Sequence, residues 1–145
     1  MQSKKLVKII LVLGFIINLI ILAQLSISSA NLSECKHIAP NVTVYPPSQL
    51  GQPGEILSYS VNLTNKNSSP CQTANFYITD VNPGTTWVST IPTQPFSLCN
   101  GCNVIFEYEL QSPSNVQPGN YPSYIIAYES SQQSNAGVGT ATYLV

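Results

Sequence analysis

Two segments of the chain alternate with a period of two. Leu57, Tyr59, Val61 and Leu63 are interleaved with Ser58, Ser60, Asn62 and Thr64, and Val104, Phe106, Tyr108 and Leu110 with Ile105, Glu107, Glu109 and Gln111. In an extended strand successive side chains point to opposite faces, so each segment predicts a strand with one buried face. The acids of the second should face solvent, because an unpaired buried carboxylate is costly. Shorter stretches read the same way. Residues 42–45 form a first strand stopped by Pro46-Pro47, since proline has no donor for the ladder. Residues 73–80 carry Phe76 and Ile78 on one face, and 87–89 make a short strand or crossing segment. Pro92 and Pro95 limit regular structure before Leu98.

Residues 121–128 are dense in aromatic and β-branched side chains. Either Ile125 and Ala127 or Tyr124, Ile126 and Tyr128 face the core, and periodicity does not choose between them. After the polar stretch 130–135, residues 138–145 form the last strand. Turns fall at Gln52-Pro53-Gly54, Asn82-Pro83-Gly84 and Gln117-Pro118-Gly119. About seven strands without helical crossovers predict an all-β, antiparallel β-sandwich over residues 41–145. Residues 31–40 form an irregular segment leading into it.

The first 30 residues differ in kind. Lys4, Lys5 and Lys8 precede an apolar run over residues 9–25, and Ser28-Ser29-Ala30 supplies the small residues a signal peptidase requires. Cleavage after Ala30 would begin the mature chain at Asn31. The alternative is an uncleaved hydrophobic helix over residues 6–25, interrupted by Lys8, Asn18 and Gln24, acting as a signal anchor. Lysines before the span place the remainder outside the membrane in either case, so the expected location is extracellular or at the cell surface.

The 145 residues leave room for one domain. Beyond residue 30 only Lys36 and Lys66 oppose six acids, a formal net charge of about −4. Such a surface has little to offer a phosphate backbone, which excludes nucleic acid as a partner. Cys35, Cys71, Cys99 and Cys102 all fall in the exported part, where an even count predicts two disulfides. Four cysteines allow three pairings. Cys35 with Cys71 would tie the start of the domain to the loop after its second strand, and Cys99 with Cys102 would close a short loop at a hairpin. The spacing Cys99-Asn-Gly-Cys102 is that of redox motifs, but it lies between strands with no basic residue nearby in sequence, which favours a structural bond.

Four triplets, at Asn31, Asn41, Asn62 and Asn67, have the form of N-glycosylation acceptors. Asn62 fits best, on the outward face of its strand. His37, the single histidine, is expected to be a solvated polar residue or to pair with Glu34 or a cysteine, and no serine stands in a nucleophile elbow. Asp80, Glu107 and Glu109 suit solubility better than the paired carboxylates of a glycosidase. No catalytic residue, cofactor or metal site is expected.

The ordered set Val44-x-Pro46, Gly51 to Gly54, Tyr59-x-Val61-x-Leu63-Thr64-Asn65, Cys71, Phe76, Pro83-Gly84-x-x-Trp87, Pro113, Gly119-x-Tyr121 and Ala127 resembles the NEW3, or alpha-galactosidase-associated, modules of bacterial and archaeal proteins. The resemblance covers most of residues 41–130. It implies an Ig-like sandwich that serves as an accessory module of secreted or surface proteins. The chain departs from it at Leu98-Cys99-Asn100-Gly101-Cys102, where such modules often carry a Pro-Gly turn, and no catalytic domain is expected beside the module within these 145 residues.

Two functions follow as expectations. One is a structural or adhesive surface protein, self-assembling if residues 31–45 add as a strand to a neighbour's sheet. The other is a carbohydrate-binding or accessory module acting with a separate secreted enzyme, for which a row of Tyr77, Tyr124 and Tyr128 would be the ligand surface.

Overall fold

The computed structural model describes residues 34–145. The expected leader, its cleavage point and Asn31 lie outside the described residues. The described part is all-β, with β1 (Asn41–Tyr45), β2 (Ser48–Leu50), β3 (Ile56–Thr64), β4 (Ala74–Val81), β5 (Val88–Thr90), β6 (Phe96–Leu98), β7 (Asn103–Gln111), β8 (Asn120–Glu129) and β9 (Gln132–Leu144). These make a four-stranded sheet in the order β1-β3-β7-β5 and a five-stranded sheet in the order β2-β9-β8-β4-β6. Every pairing is antiparallel except β2 with β9.

The alternating segments behave as their pattern requires. Leu57, Tyr59, Val61 and Leu63 of β3, and Tyr108 and Leu110 of β7, are buried between the sheets, whereas Ile105 on the opposite parity is 63% exposed. The ambiguity of β8 resolves in favour of Ile125 and Ala127, both fully buried, with Tyr124 turned outward. Val42, Ala74, Phe76, Trp87, Leu98, Ala141 and Tyr143 join them in the core, and Trp87 packs edge-on against Tyr143 at 5.2 Å between ring centres.

The described residues hold nine strands rather than about seven. The two additions are three-residue edge strands beside prolines, β2 after Pro46-Pro47 and β6 after Pro95. At the first of these the chain changes sheets, leaving β3 at Tyr45 and joining β9 at Ser48. The Tyr45–Pro46 peptide is cis. This crossing brings β1 against β9, where two glycines make room. A Cβ on Gly139 would lie 2.7 Å from Val42 Cγ1, and one on Gly137 would overlap the carbonyl oxygen of Pro40. β9 also starts earlier than its apolar residues suggest. Its polar start, Gln132 to Asn135, meets β8 at Gln132 opposite Glu129, beyond a register shift between Tyr128 and Glu129.

Buried hydroxyls are satisfied. Tyr143 donates to Gln52 O at 2.7 Å, Tyr59 to Thr142 O at 3.0 Å, and Tyr108 meets Ser123, Asn82 and Asp80. Burial, reinforced by Tyr143, pushes the Tyr59 phenol up to about 12. Burial likewise raises Tyr108 far above the ordinary tyrosine range.

Candidate functional site

Three places on the domain bring chemistry-bearing side chains together. The first is a polar knot at one end of the sandwich. The segment leading into β1 is held there by the disulfide between Cys35 and Cys71, whose Cα atoms are 4.7 Å apart. Lys36 O accepts from Ser68 N, and Ile38 N donates to Asn67 Oδ1 at 2.8 Å. Glu129, at the end of β8 and only 7% exposed, accepts from His37 Nδ1 at 2.8 Å, Asn67 Nδ2 at 3.0 Å and Ser131 Oγ at 3.0 Å. An ionised carboxylate is acceptor only, so the proton sits on His37 Nδ1. Burial alone would raise the Glu129 pKa. The bonds from Asn67, His37 and Ser131, with the His37 charge, overcome it and hold the carboxyl below the ordinary glutamate range.

His37 is therefore half-buried and bonded to a strand 92 residues away, not a solvated side chain, with its Nε2 at 3.5 Å from Cys35 Sγ. Asn65, fully buried, bonds Leu98 O through its side chain and both Gly101 N and Cys102 O through its backbone. The second disulfide, Cys99 to Cys102, closes this turn with Cα atoms 5.2 Å apart, and Gly101 supplies its positive φ of 73°. The knot thus joins three loops and both disulfides, and among the described residues no buried side-chain nitrogen or oxygen lacks a partner. Its bonds tie the segment before β1 to the β3–β4 connection and to the end of β8.

The second place is the outer face of the five-stranded sheet. Tyr77 of β4 lies opposite Tyr128 of β8, their rings stacked at 6.0 Å and 18°. A cleft of about 260 Å³ beside them is lined by Tyr77, Tyr128, Ser130 and Gln133. Ile126 and Tyr124 continue the same face along β8, and Val81 lies opposite Tyr124. Tyr77, Tyr124, Val81 and Val138 are 39%, 43%, 53% and 54% exposed. The residues of this parity on β4, β8 and β9 include no charged side chain. Tyr77, Tyr124 and Tyr128 therefore do share one face, with Tyr124 four residues along β8 from the stacked pair.

The third place is a groove of about 440 Å³ on the outer face of the four-stranded sheet, lined by Tyr45, Ser58, Tyr59, Ser60, Ile105, Phe106 and Glu107. Neither sheet brings carboxylates into an enclosed site. Asp80 is taken up by Tyr108, and Glu107 and Glu109 line the outer side of β7. Among the described residues no three His, Cys, Asp or Glu are grouped as metal ligands.

The glycosylation triplets separate by burial. Asn41 is exposed, and Asn62 lies on the outer face, half-buried, accepting from Asn103 Nδ2 at 3.1 Å. Asn67 corrects the expectation placed on it. It is 3% exposed, and the Nδ2 that a glycan would occupy is the atom that holds Glu129. Sequence reasoning singled out none of Glu129, Asn65 and Asn67 for this knot, nor Tyr45 for the groove. The one signal available was the crowding of polar residues between Thr64 and Cys71, which reads equally well as an exposed loop.

The chain matches no protein-family model and no curated protein. Its fold is similar to part of a family 123 glycoside hydrolase from Clostridium perfringens, at 10% identity and a TM-score of 0.50 over 74% of this chain and 27% of that one. It is also similar to part of the secreted serine protease VesC from Vibrio cholerae, at 14% identity and a TM-score of 0.46 over 67% of this chain and 21% of that one. The chain thus spans about a quarter of the length of these larger proteins or less, 27% and 21%. At such identities the first likeness speaks for the fold alone.

Proposed function

We propose that this is a non-catalytic, exported Ig-like module with an adhesive role at the cell surface, working through the tyrosine face of its five-stranded sheet on neutral carbohydrate. The observation that carries the reading is the stacked Tyr77–Tyr128 pair set in an uncharged face beside a cleft with a hydroxyl and an amide, Ser130 and Gln133. Sugars offer C–H faces to aromatic rings and hydroxyls to neutral donors and acceptors, and a face without charge suits a neutral polymer better than a charged one. Two disulfides favour an oxidising, extracellular setting, and the sequence resemblance to NEW3 modules agrees with an accessory or surface role.

The strand-donation form of assembly loses its basis in this reading. Asn41–Tyr45 is paired along its length with β3, and the segment before it is fastened by the Cys35–Cys71 bond. A second reading, lateral self-assembly, draws support from Val81 and Val138 on the tyrosine face and Leu50, 77% exposed, at the β2 edge of the same sheet. Titration of the purified domain with soluble neutral polysaccharides, alongside its native mass by light scattering, separates the two. The carbohydrate reading expects a monomer whose binding is lost in Tyr77→Ala and Tyr128→Ala. A concentration-dependent mass abolished by the same variants, with no polysaccharide bound, would replace it with assembly.

A further inference from the structure

The groove on the opposite sheet has a different chemistry from the tyrosine face. Tyr45, Ser60 and Glu107 form one cross-strand row over β1, β3 and β7, and Ser58 and Glu109 the row beside it. Tyr45 is 75% exposed and Ile105 63%, so an aromatic ring and an aliphatic side chain stand open to solvent around a carboxylate. Two residues apart on one strand, Glu107 and Glu109 lie about 7 Å from each other on the same side. The single ion pair among the described residues is His37 with Glu129. Lys36 and Lys66 both lie outside the strands, in the segment before β1 and the β3–β4 connection, and neither answers the charge of this groove.

We propose that this groove binds the basic side chains of a partner protein, taking a lysine or arginine by its stem and its charge together. The stem lies along Tyr45 and Ile105, the cation meets the Glu107 carboxylate and the face of the Tyr45 ring, and Ser58 and Ser60 are placed for its remaining donors. Charge selects this occupant. A second copy meeting it through the same face would set Glu107 and Glu109 against their own kind, and a nucleic acid or an acidic glycan would be repelled. The groove's volume, about 440 Å³, falls in the range of roughly 300–1,000 Å³ typical of ligand pockets. The proposal is independent of the carbohydrate reading, because the two surfaces belong to different sheets.

The test uses the described domain with both disulfides intact and an octalysine peptide as probe, followed by amide chemical shifts and calorimetry at low ionic strength. Binding is expected to shift resonances of residues 45, 58, 60, 105 and 107. Glu107→Gln should weaken it about tenfold, and Tyr45→Ala roughly threefold. Glu34→Gln, which removes the same charge from an exposed site before β1, should leave it unchanged. Octa-acetyllysine, which keeps the stem and loses the charge, should not bind. Equal weakening by Glu107→Gln and Glu34→Gln would reduce the effect to net charge and overturn the proposal, as would an absence of binding. Spermidine binding as tightly as the peptide would assign the groove to small polyamines and overturn it too. Tyr45 and Glu107 are exposed, so retained unfolding midpoints confirm that the variants report on binding.

Discussion

Replacing Glu129 tests whether the polar knot stabilises the domain through a charged carboxylate or merely fills space. Glu129→Gln keeps the volume and leaves one carbonyl oxygen for Asn67 and His37, while its amide can donate to Ser131, so the chief loss is the charge. A hydrogen bond to a charged group contributes about 1.5–3 kcal/mol against about 1 for a neutral one. The glutamine variant should therefore be less stable by about 1–2 kcal/mol at pH 7. Glu129→Ala also strands the buried Asn67 amide, which adds about 1–3 kcal/mol and makes a total of roughly 2–5 kcal/mol. That is a large share of the roughly 5–15 kcal/mol that holds a typical domain. Because the folded pKa of Glu129 is depressed, its contribution is present in full above the unfolded value near about 4.3. It disappears as the pH falls through the folded value. Urea unfolding followed by the fluorescence of Trp87, the single tryptophan, gives both quantities, at pH 7 and again near pH 2. Equal stability of wild type and Glu129→Gln at pH 7, or a gap that persists unchanged in acid, would refute the reasoning.

Gly137→Ala should loosen the segment before β1, because its Cβ would overlap the Pro40 carbonyl oxygen and lie 2.9 Å from the Pro40 carbonyl carbon; a loss of about 1–3 kcal/mol and faster proteolysis near residue 38 are expected. With a sequence separation of 36, removal of the Cys35–Cys71 bond by paired serine substitution should cost about 4 kcal/mol by loop-closure entropy. The same change at Cys99 and Cys102, separated by 3, should cost only about 2 kcal/mol, and denaturant midpoints of the two double variants rank them. Tyr143→Phe removes the donor to Gln52 O at 2.7 Å, and should lower stability by about 1–3 kcal/mol without altering binding to polysaccharide.

What the sequence disclosed of the fold followed how far each local pattern decides. β3 and β7 were legible because their two faces differ in polarity, and the cysteine pairing because one partner stood at the start of the domain. β8 was not, because Tyr124, Ile126 and Tyr128 on its outer face are as apolar as Ile125 and Ala127 within. β2 and β6 escaped notice because each is three residues long beside proline, and both pair with strands remote in sequence. The polar start of β9 carries no apolar signal, and it meets β8 only at Gln132 beyond a register shift. Parity put Tyr124 and Tyr128 on one face of β8, but which face lies outward was settled only by packing against the second sheet. The His37–Glu129 pair was not, because a contact across 92 residues exists only when the loops at one end have been folded together.

The Cys35–Cys71 bond has a mechanical consequence if the module is pulled between its two ends. The loop it closes contains β1, β2 and β3, so tension entering at Glu34 crosses the bond at Cys35 and continues from Cys71. Those three strands cannot be drawn out while the bond is intact. At roughly 3.3–3.6 Å of extended chain per residue, the 36-residue span withholds about 120 Å from the length the molecule can reach when it yields. A domain built this way lengthens by a fixed and shortened step, and a reducing agent would restore the missing reach.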